Sequence, residues 1–144
     1  MQGKKTLLEE FHAKGHQNVR ANHKTTLEFT KSPDLTPRGN CILAVGSSIA
    51  PVDFKDQTKA LLRSPNNFLL EMEVDSLVER LTGFGHPDLS LTSDEEMVFR
   101  KSGYISGRTV LVRCDKASVD LNPEFRKRLK DETKSVEARL YLLG

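Results

Sequence analysis

A stretch of eighteen residues is followed seventy positions later by a second stretch that resembles it, and this similarity limits the folds open to the chain. Residues 15–32, GHQNVRANHKTTLEFTKS, return seventy positions later as residues 85–102, GHPDLSLTSDEEMVFRKS. The identical pairs are Gly15/Gly85, His16/His86, Phe29/Phe99, Lys31/Lys101 and Ser32/Ser102. Chance would give about one identity over this length, so the sequence predicts an internal duplication.

The match extends beyond this stretch with small gaps. Residues 39–43 (GNCIL) match residues 107–111 (GRTVL), and Val52-Asp53 matches Val119-Asp120. A chain of 144 residues buries the core of one domain, whereas half of it is too short to do so comfortably alone. We therefore predict a single domain, residues 1–144, made of two repeats (about 6–76 and 77–144) that share one core.

Apolar residues alternate with polar ones in both copies, which predicts strands. In residues 18–22 and 25–30, Val19 and Leu27 share an inward parity. Further strands are predicted at residues 6–13, 41–45, 68–74 and 77–84. Asp53 is a candidate cap for a helix over residues 54–63, and Asn122-Pro123 is a typical start for a second helix.

These elements predict a β-rich α+β fold. The simplest arrangement is a pseudo-twofold antiparallel β-barrel, closed or nearly closed, with two short helices over its ends, because closure removes exposed strand edges. An open two-sheet sandwich is the alternative. The order of elements also resembles the cradle-loop barrels, with Gly39-Asn40 and Gly107-Arg108 in the places of their Gly-Asp turns.

Composition describes an ordinary globular domain. Hydrophobic residues make up 37% of the chain and charged residues 29%, and the formal net charge of +2 is too small to imply a nucleic-acid or acidic-membrane partner. There is no apolar run long enough for a membrane span and no signal-peptide core, so we expect a cytoplasmic protein. Cys41 and Cys114 belong to no short Cys/His motif and are expected to be buried free thiols.

The whole chain resembles the largely archaeal family catalogued as domain of unknown function 371. The motifs that carry the resemblance are Gly15-His16 with Asn18-Val19, His23 with Thr25-Thr26, residues 35–39 (LTPRG), Gly85-His86-Pro87, Lys101-Ser102, Gly107-Arg108-Thr109, and Asp115-Lys116-Ala117 followed by Asp120-Leu121. The resemblance implies membership of the family and no established activity.

The histidines are candidate site residues. His16 and His86, at equivalent turns, would serve as acid and base if they flanked one cleft near the pseudo-dyad, but the same turns also explain them structurally. His23 joins them as a candidate. No metal site is predicted, because residues seven apart on one strand, such as His16 and His23, point to opposite faces.

Charged residues at strand ends complete the candidate site. Asp115-Lys116 directly follows a predicted strand, where side chains can reach a pocket, and Arg38 and Arg108 adjoin glycines and would contact an anion. A surface ion pair is the alternative for Asp115 and Lys116.

We therefore expect a small polar or anionic ligand to bind near the pseudo-dyad. Arg126-Lys127-Arg128 and Lys130 form the densest basic run, which leaves an RNA- or protein-binding module as a second hypothesis. An enzyme is a third hypothesis. The sequence selects no reaction, catalytic residue, cofactor or oligomeric state.

Overall fold

The chain folds into strands joined by short helices. The structure, a computed structural model, describes residues 4–36 and 41–144. The strands are β1 (Lys5–Lys14), β2 (Thr26–Thr30), β3 (Ile42–Ala44), β4 (Asn67–Val74), β5 (Leu77–Phe84), β6 (Glu96–Arg100), β7 (Thr109–Leu111) and β8 (Ser135–Leu143). The helices are α1 (Asp56–Leu62) and α2 (Pro123–Arg128), which follow 3-10 turns at Pro51–Asp53 and Ser118–Asp120. In these described ranges, no helix is both long and apolar enough to span a membrane.

The strands form two sheets that enclose one apolar core. The first sheet, of order β1-β8-β4-β5, is antiparallel throughout. The second sheet has the order β3-β2-β6-β7, in which β2 and β6 are antiparallel and the short outer strands run parallel to their neighbours. Phe11, Phe29 and Phe99 meet between the sheets, with ring centroids 5.2 and 6.2 Å apart in edge-to-face geometry. The predicted β-rich α+β class is confirmed.

The predicted closed antiparallel β-barrel is wrong for the described residues, and the open two-sheet sandwich fits. Two isolated bridges, Lys14 with Val45 and Phe84 with Val112, link the sheets at opposite corners. The strands that would close the barrel, β3 and β7, have three residues each and pair in parallel with β2 and β6. They are too short to continue as full ladders beside β1 and β5, so the sandwich stays open.

Local structure also departs from two predictions. Residues 18–22 form a turn and loop, where Ala21 has a φ of 47°, a left-handed conformation that interrupts a strand. Val19 and Ala21 are buried nonetheless, as the alternation indicates. The first helix begins at Asp56, because the Asp53 carboxylate accepts a hydrogen bond from the Ala50 amide and so closes the 3-10 turn before it.

The start of the second helix is confirmed. The Asn122 carboxamide oxygen accepts a hydrogen bond of 2.8 Å from the Glu124 amide, and Pro123 occupies the first helical position. Phe125, on the inner side of this helix, is fully buried.

The two Gly-His turns make matching contacts. The His16 amide donates to the Leu129 carbonyl and the His86 amide to the Leu62 carbonyl, each at 2.9 Å, so each turn is held against the end of the opposite helix. A Cβ atom at Gly85 would collide with the Leu62 carbonyl oxygen, which explains why the turn needs glycine. The duplication stays a prediction, and these paired contacts support it.

Candidate functional site

The outer face of the second sheet is covered, although an antiparallel sheet commonly leaves one face in water. On β2, Leu27 and Phe29 belong to the core. Thr26, Glu28 and Thr30 alternate with them on the outer face and are also buried, with exposed fractions of 9, 3 and 2%. This face therefore holds polar side chains that are shielded from bulk water.

Five residues on and around this face form a charged group that we call the Glu28 cluster: Glu28, Cys41, Glu96, Arg100 and Arg108. Glu28 lies at its centre, directly opposite Val98 of β6. The Arg108 guanidinium bridges the two carboxylates, with Nη1 at 3.3 Å from Glu28 Oε1 and 2.7 Å from Glu96 Oε1. The Cys41 thiol lies 3.8 Å from Glu28 Oε1.

The pKa of Glu28 is raised from its ordinary value of 4.5 to about 7. Burial is the largest cause, the neighbouring Glu96 carboxylate also raises this pKa, and Arg108 opposes both effects without cancelling them. Glu28 therefore exchanges its proton near neutral pH. Such a group can donate a hydrogen bond when protonated and accept one when ionised.

The Cys41 thiol is a poor nucleophile in this setting. Its pKa is raised to about 11, chiefly by burial and also by the charge of the Glu28 carboxylate. The thiol therefore stays protonated at neutral pH and acts as a weak donor towards Glu28.

Arg100 is buried on the same face, with an exposed fraction of 9%. Its Nε donates to Thr109 Oγ1 at 2.9 Å and its Nη2 to Ser106 Oγ at 3.3 Å. The Tyr104 ring covers the guanidinium at 4.9 Å. Burial lowers the pKa of Arg100, and the charge of nearby Arg108 lowers it further. The two guanidinium groups are therefore close enough to repel each other.

His23 lies beside this face and caps the turn before β2. Its Nδ1 accepts hydrogen bonds from the Thr25 amide at 3.2 Å and the Thr26 amide at 3.1 Å. The Thr26 hydroxyl, opposite Arg100 in the sheet, lies 2.9 Å from the same nitrogen. His23 thus reaches the edge of the Glu28 cluster, while its Nδ1 is engaged in the turn.

His16 and His86 do not meet. They follow β1 and β5, which are the two outer strands of the first sheet and run in opposite directions, so the histidines lie at opposite corners. Each imidazole Nδ1 accepts a hydrogen bond of 3.0 Å from an amide two residues on, that of Asn18 or Asp88. Both side chains stabilise their turns, and the structure does not bring them into one cleft.

Asp115 and Lys116 contact β5 rather than the Glu28 cluster. Asp115 Oδ1 accepts a hydrogen bond of 2.8 Å from the Thr82 amide, and Lys116 Nζ lies 3.1 Å from Glu79 Oε1. The remaining predicted site residue, Arg38, lies outside the described residues, as does the Gly39-Asn40 pair. Of the predicted set, the structure therefore brings Arg108 into the Glu28 cluster and His23 to its edge.

A separate cleft of about 240 Å³ opens at the corner next to His16. It is lined by Lys14, Gly15, His16, Pro33, Val45, Gly46 and Glu132. Gly46, with a φ of 60°, leaves this space unfilled. The Glu28 cluster contributes nothing to this lining, so the cleft and the charged network are distinct features.

No group of three or more His, Cys, Asp or Glu side chains is placed to hold a metal ion within residues 4–36 and 41–144. The family model described as Domain of unknown function (DUF371) matches residues 11–142. The chain belongs to the DUF371 family. An uncharacterized protein of Methanocaldococcus jannaschii is 43% identical over 119 residues, which cover 83% of this chain and 88% of that protein. The resemblance inferred from the sequence motifs is confirmed.

Sequence reasoning missed four members of the cluster in this DUF371 protein, namely Glu28, Cys41, Glu96 and Arg100. The three charged ones occupy outward positions of β2 and β6, where alternation predicts contact with water. The only signal in the sequence is threonine at the other outward positions of β2, Thr26 and Thr30, since charged residues would be the usual choice on a solvated face.

The basic run on α2 is partly used within the fold. Arg126 donates to the carbonyls of Leu121 and Ala21, at 3.2 and 3.3 Å. Arg128 is ion-paired with Asp75 at 3.0 Å and with Glu124 at 3.3 Å. Two guanidinium groups of the run therefore stabilise the fold, which reduces the positive charge available to a nucleic acid.

Proposed function

We propose that this DUF371 protein binds a small polar ligand at the Glu28 cluster, on the outer face of the second sheet. The observation that carries the proposal is the Glu28–Arg108–Glu96 network around a carboxyl group that is 3% exposed. Burying charged groups opposes folding unless they are fully paired, and an apolar replacement of similar size often stabilises a protein. A network of this kind in a shielded place is therefore a good candidate for a binding site.

The cluster offers both donors and acceptors to a ligand. Arg108 is half-exposed and presents a planar fork, and Glu28 adds either a proton or a lone pair depending on its protonation. The ligand would approach Arg108 from solvent and exchange hydrogen bonds with the two carboxylates.

The position of the cluster supports the predicted two-repeat organisation. Glu28 and Val98 are seventy positions apart and face each other across β2 and β6, so each is the counterpart of the other. We infer that the pseudo-dyad passes between them and that the two repeats, about 6–76 and 77–144, share the core beneath. On this inference the proposed site lies near the pseudo-dyad, as the sequence predicts, and it shares Arg108 with the predicted set of residues.

An enzyme is the second candidate. Glu28 exchanges its proton near neutral pH, which suits a general acid or base. Its carboxyl group could serve a bound substrate in that role. No reaction is selected, because the cluster contains no activated nucleophile among the described residues.

The proposal is tested by screening small polar compounds for an increase in melting temperature and repeating the measurement on variants. Glu28→Gln and Arg108→Gln should each abolish the increase caused by a genuine ligand. Arg80→Gln is the matched control, because Arg80 makes an equally short ion pair, 2.8 Å from Glu71, on the other sheet. Ligands that stabilise all three variants as well as the wild type would contradict the proposal.

A further inference from the structure

Arg100 is the one buried Lys or Arg side chain among the described residues. Its side-chain partners are the hydroxyl groups of Ser106 and Thr109 and the ring of Tyr104, all of which are neutral. No carboxylate of residues 4–36 and 41–144 forms an ion pair with it, and the other seven residues of the chain include no Asp or Glu. A buried guanidinium normally has an anionic partner in direct contact, whereas the Glu28 carboxylate acts on Arg100 without forming an ion pair, so this charge is only partly compensated.

The Arg100 guanidinium also has more N–H groups than its side-chain hydrogen bonds use. Arginine carries five N–H groups, and the side-chain hydrogen bonds of Arg100 to described residues use Nε and Nη2. The remaining nitrogen, Nη1, donates to no atom of the described residues, so we take it as the donor open to a ligand. A ligand arriving there would meet a planar fork of N–H groups whose orientation is already fixed.

The hydroxyl groups beside Arg100 offer a further hydrogen-bond donor. Thr109 Oγ1 accepts hydrogen bonds from Arg100 Nε and from the Ser106 amide, at 2.9 and 3.0 Å. Ser106 Oγ accepts from Arg100 Nη2. Because each oxygen is already an acceptor, its hydroxyl hydrogen is free to point elsewhere, and between them they offer at least one further donor.

The local charge favours an anion. Arg100 and Arg108 contribute two positive charges to the Glu28 cluster, while Glu96 contributes one negative charge and Glu28 a second only when it is ionised. With Glu28 protonated, the cluster therefore has one positive charge in excess. Arg108 already has carboxylate partners, so the unmatched donors are those of Arg100.

We propose that the ligand of this site is a small oxyanion, a carboxylate or phosphate group, bound by the Arg100 fork and by the hydroxyl group of Ser106, which Thr109 holds in place. This inference rests on the proposed function and adds the chemical class of the ligand. Tyr104, which is 64% exposed, covers the guanidinium and forms the apolar side of the site. An oxyanion matches the fork geometry and supplies the missing counter-charge.

The test is an NMR titration of the full chain with inorganic phosphate and, separately, with acetate, at constant ionic strength. We expect saturable shifts of the Arg100 Nε–Hε signal and of the Ser106 and Thr109 amides with at least one of the two probes. The probe that binds more tightly identifies the oxyanion as phosphate or carboxylate. If neither probe gives saturable shifts at these residues, the inference is wrong.

Variants separate this inference from the proposed function. Arg100→Gln should weaken binding of the better probe by about tenfold or more, because a charge-assisted pair of hydrogen bonds is lost. Arg100→Lys keeps the charge without the fork and should fall between that variant and the wild type, and Arg139→Gln is the matched control. A neutral ligand that needs Arg108 but is indifferent to Arg100→Gln would refute the oxyanion and leave the proposed function standing.

Discussion

A buried glutamate lies at the middle of each sheet, and the pKa values of the two are shifted in opposite directions. Glu71 of β4 is 7% exposed and Glu28 of β2 is 3% exposed. Burial alone would raise the pKa of Glu71, but hydrogen bonds from Arg80 and Arg139 outweigh it and lower the pKa. At Glu28 the effect of burial is not outweighed, and the pKa rises to about 7. Both carboxylates are shielded from solvent, but Glu28 lies deeper among protein atoms than Glu71, so depth of burial and the charged partners together decide the outcome.

The residue across the strand pair also differs between the two sites. Glu71 faces Arg139 of β8, whose Nη2 lies 3.1 Å from its carboxylate, whereas Glu28 faces Val98. Arg80 and Lys5 add to the positive charge around Glu71. If the repeats are equivalent, each glutamate lies where the pseudo-dyad crosses a sheet. One crossing is then neutralised for stability, and the other is left poorly neutralised, as a binding site requires.

The largest expected effect is the gain in stability that Glu28→Gln causes at alkaline pH. The folded pKa is raised from 4.5 to about 7, so the folded state holds a proton that the unfolded state has lost in this window, and stability falls as the pH rises through it. Full ionisation costs roughly 3 kcal/mol, which the amide avoids. We expect the variant to be more stable than the wild type at pH 8, by up to roughly that amount.

Urea denaturation at a series of pH values measures this effect. The wild type should lose stability between pH 4.5 and about 7 relative to the variant, and the difference should level off above that range. A parallel pH dependence in the two proteins would show that Glu28 titrates normally and would remove the contrast with Glu71.

The second effect has the opposite sign. Because the folded pKa of Glu71 is lowered, its contribution to stability is present above the unfolded pKa and is lost as the pH falls through the folded one. Glu71→Gln should therefore destabilise the protein at pH 7 by about 2 kcal/mol, because Arg139 and Arg80 lose a buried partner. The same denaturation series checks it. If Glu71→Gln loses no stability at pH 7, the ion pairs make no net contribution to stability.

Much of the fold could be predicted from the sequence because it depends on local patterns. The alternation in β2 and the cap at Asn122 depend on neighbouring residues, and both are found in the structure. The closed barrel failed for a reason that is not local. Whether two sheets close depends on the length of β3 and β7, and the short apolar run at 41–45 does not reveal that only Ile42–Ala44 pairs as a strand.

The site was harder to predict because its burial depends on tertiary structure. His16 and His86 attracted attention as a repeated pair, yet strand order places them at opposite corners. Arg108 was found because it adjoins a glycine in a repeated motif. Glu28 and Arg100 have outward parity in their strands, and the two threonines beside Glu28 are the only sequence signal that this outer face is covered.

The smallest effect should come from making the first sheet resemble the second. Arg139→Val places an apolar residue opposite Glu71, as Val98 is opposite Glu28. Losing this partner should raise the pKa of Glu71, while Arg80 and Lys5 keep it below the value at Glu28. Carboxyl carbon NMR over a pH series measures the change. Lys5→Met, which removes a charge 4.0 Å away, should give a smaller rise. If the pKa of Glu71 is unchanged in both variants, the facing residue does not set its acidity.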